Sequence, residues 1–232
     1  MRRSNLLILI LLLLGSRLCM AQFSDQELYA AYLQRDMTVW QKYLASVDFD
    51  KASVDEQKRY LNYEYGYVAY AVSNKQDNAR KLLDTFEKNL ETLKPHLAKS
   101  TYLAYQASTN SYELSLNRWQ FGKYSKLIFN EIDKALSANP NDPLAQTMKG
   151  NVEFYSPFGS KQNALKCYQA ADSIYHAKTI PAYMQWNVRA VQLTLVQCIE
   201  KTSDRQAAIA KSKQVLAEEP NFSLLKQMYA EK

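Results

Sequence analysis

Apolar residues recur at three- and four-residue steps along most of the chain, and the steps break where Asn, Asp, Ser and Pro gather. That spacing puts apolar side chains on one face of a helix. A short opening pair is marked by Leu28, Tyr29, Tyr32 and Leu33, then by Met37, Val39, Trp40, Tyr43 and Leu44, with Arg35-Asp36 between. Longer helical hairpins are predicted at 57–75 with 79–94, 101–119 with 124–138, 144–154 with 161–177, and 181–201 with 204–217. Ser24-Asp25-Gln26-Glu27, Ser53-Val54-Asp55-Glu56 and Ser203-Asp204-Arg205-Gln206 have the spacing of capping boxes and precede apolar runs. Pro95, Pro140 and Pro220 separate units, because proline cannot continue a helix. With 5 Gly and 6 Pro in 232 residues, too few turn residues remain for an all-β chain.

The pattern also repeats. Gly66, Ser108 and Gly150 stand 42 residues apart, inside similar faces: Tyr60, Leu61 and Tyr63, then Tyr102, Leu103 and Tyr105, then Leu144, Ala145 and Thr147. Repetition at this period predicts stacked helical hairpins. The second helices carry small or apolar residues at +4 and +7: Ile128, Ile132 and Ala135; Ala164, Tyr168 and Ala171; Ala208, Ser212 and Val215. Small residues at these steps allow close helix approach. Gly150 with Ala164, Tyr168 and Ala171, and Ala135 with Pro140, resemble the tetratricopeptide repeat family over residues 57–225. The units here are longer than the family's, stretched at Pro157–Gly159 and Gln120–Gly122, and Gln192 replaces the glycine of the last one. The resemblance implies an all-α solenoid of stacked antiparallel hairpins. It also implies a concave groove that binds a peptide or protein without catalysis.

The first 21 residues read separately. Arg2 and Arg3 precede a nine-residue apolar run, Leu6 to Leu14, and Ala21 offers a cut before Gln22. This predicts a cleavable signal peptide at 1–21, a single domain at 22–232, a periplasmic or secreted destination, and no membrane span after cleavage. Lipidation at Cys19 is not expected, since Arg17 and Leu18 precede it. Losing Arg2, Arg3 and Arg17 takes three cations off a balance of 29 basic against 23 acidic residues and leaves +3. The remaining cations are scattered, which argues against nucleic acid as a partner. Cys167 and Cys198 remain; an exported setting permits their disulfide, and buried free thiols are the other reading.

Catalytic patterns are missing. Neither His96 nor His176 has metal-ligand spacing, and no nucleophile elbow or phosphate loop occurs. No catalytic residue, metal or cofactor is therefore assigned. Tyrosine is abundant instead. Tyr60, Tyr63, Tyr67 and Tyr70 share one helix face, and Tyr102, Tyr105 and Tyr112 stand at equivalent places one period later. With Asn151, Trp186 and Arg189 they form the candidate binding surface. Two functions fit it: a protein or peptide laid along a concave groove, or a small ligand of glycan type held between tyrosines. Such a stripe serves equally as hairpin core, with hydroxyls reaching the edge. Tyr65, off the stripe, is expected between helices, and Trp40 and Trp119 are expected to anchor hairpin packing.

Overall fold

A computed structural model describes residues 23–229; the predicted signal peptide lies outside these residues. Among them are eleven α-helices and no strand. They are α1 Asp25–Gln34, α2 Met37–Ser46, α3 Val54–Ser73, α4 Ala79–Leu93, α5 Lys99–Leu116 and α6 Phe121–Ala138. There follow α7 Pro143–Tyr155, α8 Lys161–His176, α9 Gln185–Thr202, α10 Arg205–Glu218 and α11 Ser223–Tyr229. Consecutive helices pack as hairpins, and α3, α5 and α7 lie side by side. The chain is therefore an all-α array of adjacent hairpins.

Local chemistry explains the boundaries. At α1 the Ser24 hydroxyl accepts from Glu27 N–H at 3.2 Å, and the Glu27 carboxylate accepts from Ser24 N–H at 2.8 Å, a complete capping box. Ser53 caps α3 through Glu56 N–H at 3.3 Å. At α10 the cap falls one residue later than predicted. The Asp204 carboxylate accepts from Ala207 N–H at 2.7 Å, where its charge also faces the positive helix end. Asp142 caps α7 through Leu144 and Ala145 N–H, and also accepts from the Ser100 and Thr101 hydroxyls, both at 2.7 Å. That one carboxylate fixes the turn between units to the start of α5.

The second helices bury one stripe each. In α4 it is Ala79, Leu83, Phe86, Leu90 and Leu93; in α8 it is Ala164, Cys167, Tyr168, Ala171 and Tyr175. Helix α3 differs, since every residue from Tyr60 to Val68 is buried. A helix buried all round must satisfy its polar groups internally. Asn62 donates to Asn187 Oδ1 at 3.0 Å and to the Tyr183 carbonyl at 2.9 Å, and Glu64 accepts from Asn89 at 3.0 Å.

The repeated small positions are contact points. A Cβ on Gly66 would lie 2.6 Å from the Trp40 ring and 2.7 Å from that of Trp186. A Cβ on Gly150 would lie 2.7 Å from the Tyr168 ring, and Ser108 is fully buried. Trp186 belongs to α9, which packs against α1, and α11 packs there too. Ser223 of α11 donates to the Leu33 carbonyl at 2.7 Å, and Tyr29 of α1 donates to Glu219 at 2.8 Å. The last unit thus closes on the first. Helix α11 follows Pro220 and was not predicted; Leu225 and Tyr229 are buried in it. Trp40 packs as expected, but Trp119 does not. Helix α5 ends at Leu116, and the 3-10 turn Arg118–Gln120 leaves Trp119 99% exposed.

Candidate functional site

The tyrosine stripe is taken up by the core. Tyr60, Tyr63, Tyr67, Tyr102, Tyr105 and Trp186 are buried, while Tyr70, Tyr112, Asn151 and Arg189 are half-buried. Tyr63 meets Trp40 and Tyr43 edge-on, at 5.0 and 5.4 Å between centroids, and its hydroxyl donates to Asp25 at 3.0 Å. Tyr105 meets Tyr65 and Phe86 at 5.3 and 5.8 Å and donates to Asn62 at 3.3 Å. Tyr60 packs on Phe49, Tyr67 on Tyr70, and the Tyr102 hydroxyl bonds Glu91. Arg189 is spent on Tyr29, Gln192 and Glu218. Burial lifts the Tyr60, Tyr63, Tyr102 and Tyr105 hydroxyls above the usual tyrosine range. The face α3 turns toward α9 is occupied by Trp186 and Asn187, so these tyrosines share no open surface.

Tyr112 and Asn151 do reach a cavity, of about 740 Å³, lying toward the C-terminal ends of α3, α5 and α7. Helix periodicity builds its walls. Tyr65, Ala69, Val72 and Ser73 come from α3, and Met148, Asn151, Val152 and Tyr155 from α7. Ser111, Tyr112, Leu114 and Ser115 come from α5, and Phe121, Ser125, Ile128 and Phe129 from α6. Thr194 of α9 and Ser156, Pro157 and Phe158 of the α7–α8 loop complete it. The lining contains no Asp, Glu, Lys, Arg or His.

Even the polar part of the lining is partly spent. Ser111, Ser115, Ser125 and Thr194 donate to carbonyls of their own helices, at 2.8, 2.9, 2.6 and 3.1 Å. Asn151 accepts from the Tyr168 hydroxyl at 2.8 Å, which fixes its amide; its Nδ2 lies 3.8 Å from the Met148 sulfur. The Tyr65 hydroxyl also stands 3.8 Å from that sulfur. Burial raises the Tyr112 hydroxyl well above the usual tyrosine range, so it is neutral. At the mouth stand Phe121, Phe129, Tyr155 and Phe158, all exposed, with Phe121 and Phe158 rings 6.5 Å apart. Sequence reading missed this rim because its residues lie in the stretched segments between helices and on outer helix faces.

Other chemistry is sparse. Cys167 and Cys198 are free and buried, the second of the two readings; burial pushes the Cys198 thiol up to about 11. His96 and His176 are exposed and outside the cavity. Carboxylates of Asp84, Glu87 and Glu113 cluster within 4.8 Å of one another, but Arg80 pairs with Glu113 and Asp84 there.

No protein-family model matches the chain, and no curated protein does. Among solved structures it is similar to the HusA haemophore from Porphyromonas gingivalis, with a TM-score of 0.58 and 21% identity. The match covers 78% of this chain and 95% of that one, and shows a shared helical fold.

Proposed function

We propose that this chain is an exported, non-enzymatic binding protein that holds a planar, largely apolar small molecule of porphyrin type. The observation that carries this reading is the uncharged cavity of about 740 Å³ with its aromatic rim. Its size falls within the range of small-molecule sites. Phe129, Tyr112 and Tyr155 offer flat faces for a conjugated ring, and Ile128 and Val152 fill the space between. A haemophore of similar fold supports the same ligand class. Tyr112, Tyr155 and Met148 offer oxygen and sulfur, and no imidazole lines the cavity. Contact with the ring faces, rather than ligation by histidine, is what this lining provides. The ring's acidic groups would point out through the mouth, since no cation inside meets them.

The peptide-scaffold reading needs an open concave face, and Trp186 with Asn187 occupies the one expected. The glycan reading needs many convergent donors, and four lining hydroxyls are committed to helix carbonyls. The tetratricopeptide relationship, the cleaved leader at 1–21 and the single domain at 22–232 belong to the same proposal.

Titration of the purified protein with haem and with metal-free protoporphyrin, followed by absorbance and tyrosine–tryptophan quenching, is the test. Both porphyrins should bind at one site. Phe129→Ala, at an exposed position that costs little stability, should weaken both by about tenfold, from the lost aromatic contact. Absence of binding by the folded protein, or binding unaffected by Phe129→Ala and Val152→Asp together, refutes the assignment.

A further inference from the structure

The rim of the cavity carries more apolar surface than a ligand inside would cover. Trp119 is 99% exposed and makes no hydrogen bond or ring contact with any described residue, and it does not line the cavity. Phe158, 85% exposed, projects from the opposite segment and meets Phe121 across the mouth. Isolated apolar side chains on a surface need no explanation, but a contiguous exposed patch marks an interaction site.

The charge beside these rings is mainly positive. Between Glu113, which pairs with Arg80 and accepts from Tyr124, and Glu131, which accepts from Asn110, the chain carries Arg118, Lys123 and Lys126 and no acid. All three cations are exposed. Arg118 and Lys126 form no ion pair with any described residue; the Lys123 ammonium rests 4.7 Å above the Tyr124 ring and acts on Glu113, so it is partly satisfied within the protein. On α6 the cavity takes the face of Phe121, Ser125, Ile128 and Phe129, so Lys126 falls beside Phe129 on the outer edge. On the facing side Glu153, near the end of α7, keeps its charge and accepts from Ser160 N–H at 2.7 Å.

We infer that this rim docks on the surface of an anionic lipid bilayer. Tryptophan and phenylalanine set among unpaired cations are what an interfacial anchor requires: rings seat at headgroup depth and cations meet lipid phosphates. A protein partner would instead need some 800 Å² of complementary surface on each side, and this patch is confined to two short segments around a hole. Docking in this pose turns the cavity mouth toward the bilayer. An apolar ligand then passes between membrane and cavity without crossing bulk water. The inference does not depend on which ligand the cavity holds.

The experiment uses the ligand-free protein and vesicles of phosphatidylcholine, alone or with an equal part of phosphatidylglycerol. Of three tryptophans, Trp40 and Trp186 are buried, so a blue shift on vesicle addition reports Trp119. The expected result is a blue shift and co-sedimentation with the mixed vesicles, reversed by high salt. Arg118→Gln and Lys126→Gln should each lower partitioning about fivefold, and roughly twenty-five-fold together. Trp119→Ala with Phe158→Ala should abolish co-sedimentation while the helical circular dichroism spectrum stays unchanged. Three outcomes overturn the inference: no co-sedimentation at low salt, equal partitioning to both vesicle types, or partitioning indifferent to these variants. A protein that takes up porphyrin yet ignores vesicles refutes this inference and leaves the ligand proposal standing.

Discussion

Replacing Gly66 with alanine adds one methyl group where two indoles meet. The new carbon would lie 2.6 Å from Trp40 and 2.7 Å from Trp186, against about 3.5–4.0 Å for ordinary carbon contact. Both rings are buried and hold each other edge-on at 5.1 Å, so neither swings aside alone. Overpacking of this kind costs about 1–3 kcal/mol, and two overlaps place it toward the upper end. The helix gains about 1 kcal/mol when alanine replaces glycine. The net expectation is a loss of about 1–2 kcal/mol. Gly122 supplies the control, because nothing lies within 4 Å of its added carbon. There the helix gain stands without a clash, and Gly122→Ala should be neutral or stabilising by up to about 1 kcal/mol. Urea unfolding followed at 222 nm reads both, with Gly66→Ala shifting the midpoint down by roughly half a molar at a slope of about 2–3 kcal/mol/M. A third arm tests the closure of the array. In a Trp186→Ala background one of the two overlaps is gone, so Gly66→Ala should cost about 1 kcal/mol less than in the parent protein. Equal stability of Gly66→Ala and wild type, or identical cost in both backgrounds, would show that Trp186 does not seat on α3 as described.

Burial holds the Glu64 carboxyl near pKa 8, above its ordinary 4.5, with Asn89 opposing the shift. Below pH 4.5 it is protonated folded and unfolded alike and costs nothing. Between 4.5 and 8 only the unfolded chain releases the proton, so stability should fall as pH rises and level off above 8. Glu64→Gln should flatten that slope in urea midpoints taken from pH 5 to 9; a slope unchanged in the variant refutes the assignment. Asp142→Ala removes a helix cap and strands the buried Ser100 hydroxyl and the half-buried Thr101 hydroxyl, with an expected loss of about 2–4 kcal/mol. Asp142→Asn keeps an acceptor and should lose less than half of that, so equal losses would discount the shared carboxylate. Cys167 and Cys198 should both be titrated by a thiol reagent under non-reducing denaturing conditions and resist it in the native state. A mass lower by two hydrogens would instead reveal a bridge.

The hairpins were legible because their signals are local. Ser24, Ser53 and Asp142 cap through bonds reaching three residues or fewer, and Ala79, Leu83, Phe86 and Leu90 recur at helix steps. The 42-residue spacing of Gly66, Ser108 and Gly150 survived into structure because each position faces a bulky ring or a packed helix. The environment of α3 was not legible. A tyrosine stripe on one face reads the same whether the next layer is water or another helix. Here Trp186 comes from 120 residues downstream to cover it. The cavity was equally hidden, apart from Tyr112 and Asn151. Its walls come from five helices, and each contributes side chains that look like ordinary core.

Closure of the last hairpin on the first changes what kind of object this helical array is. In an open stack each hairpin depends only on its neighbours, so units can be lost from an end or added to it. Here Tyr29 is bound to Glu219, and Leu33 to Ser223, each pair separated by 190 residues. An extra hairpin has nowhere to attach, and a missing one leaves both ends bare. Formation of these contacts waits on nearly the whole chain, which favours slow folding and cooperative loss. The repeat count is thereby fixed by geometry, as the strand number is in a closed barrel.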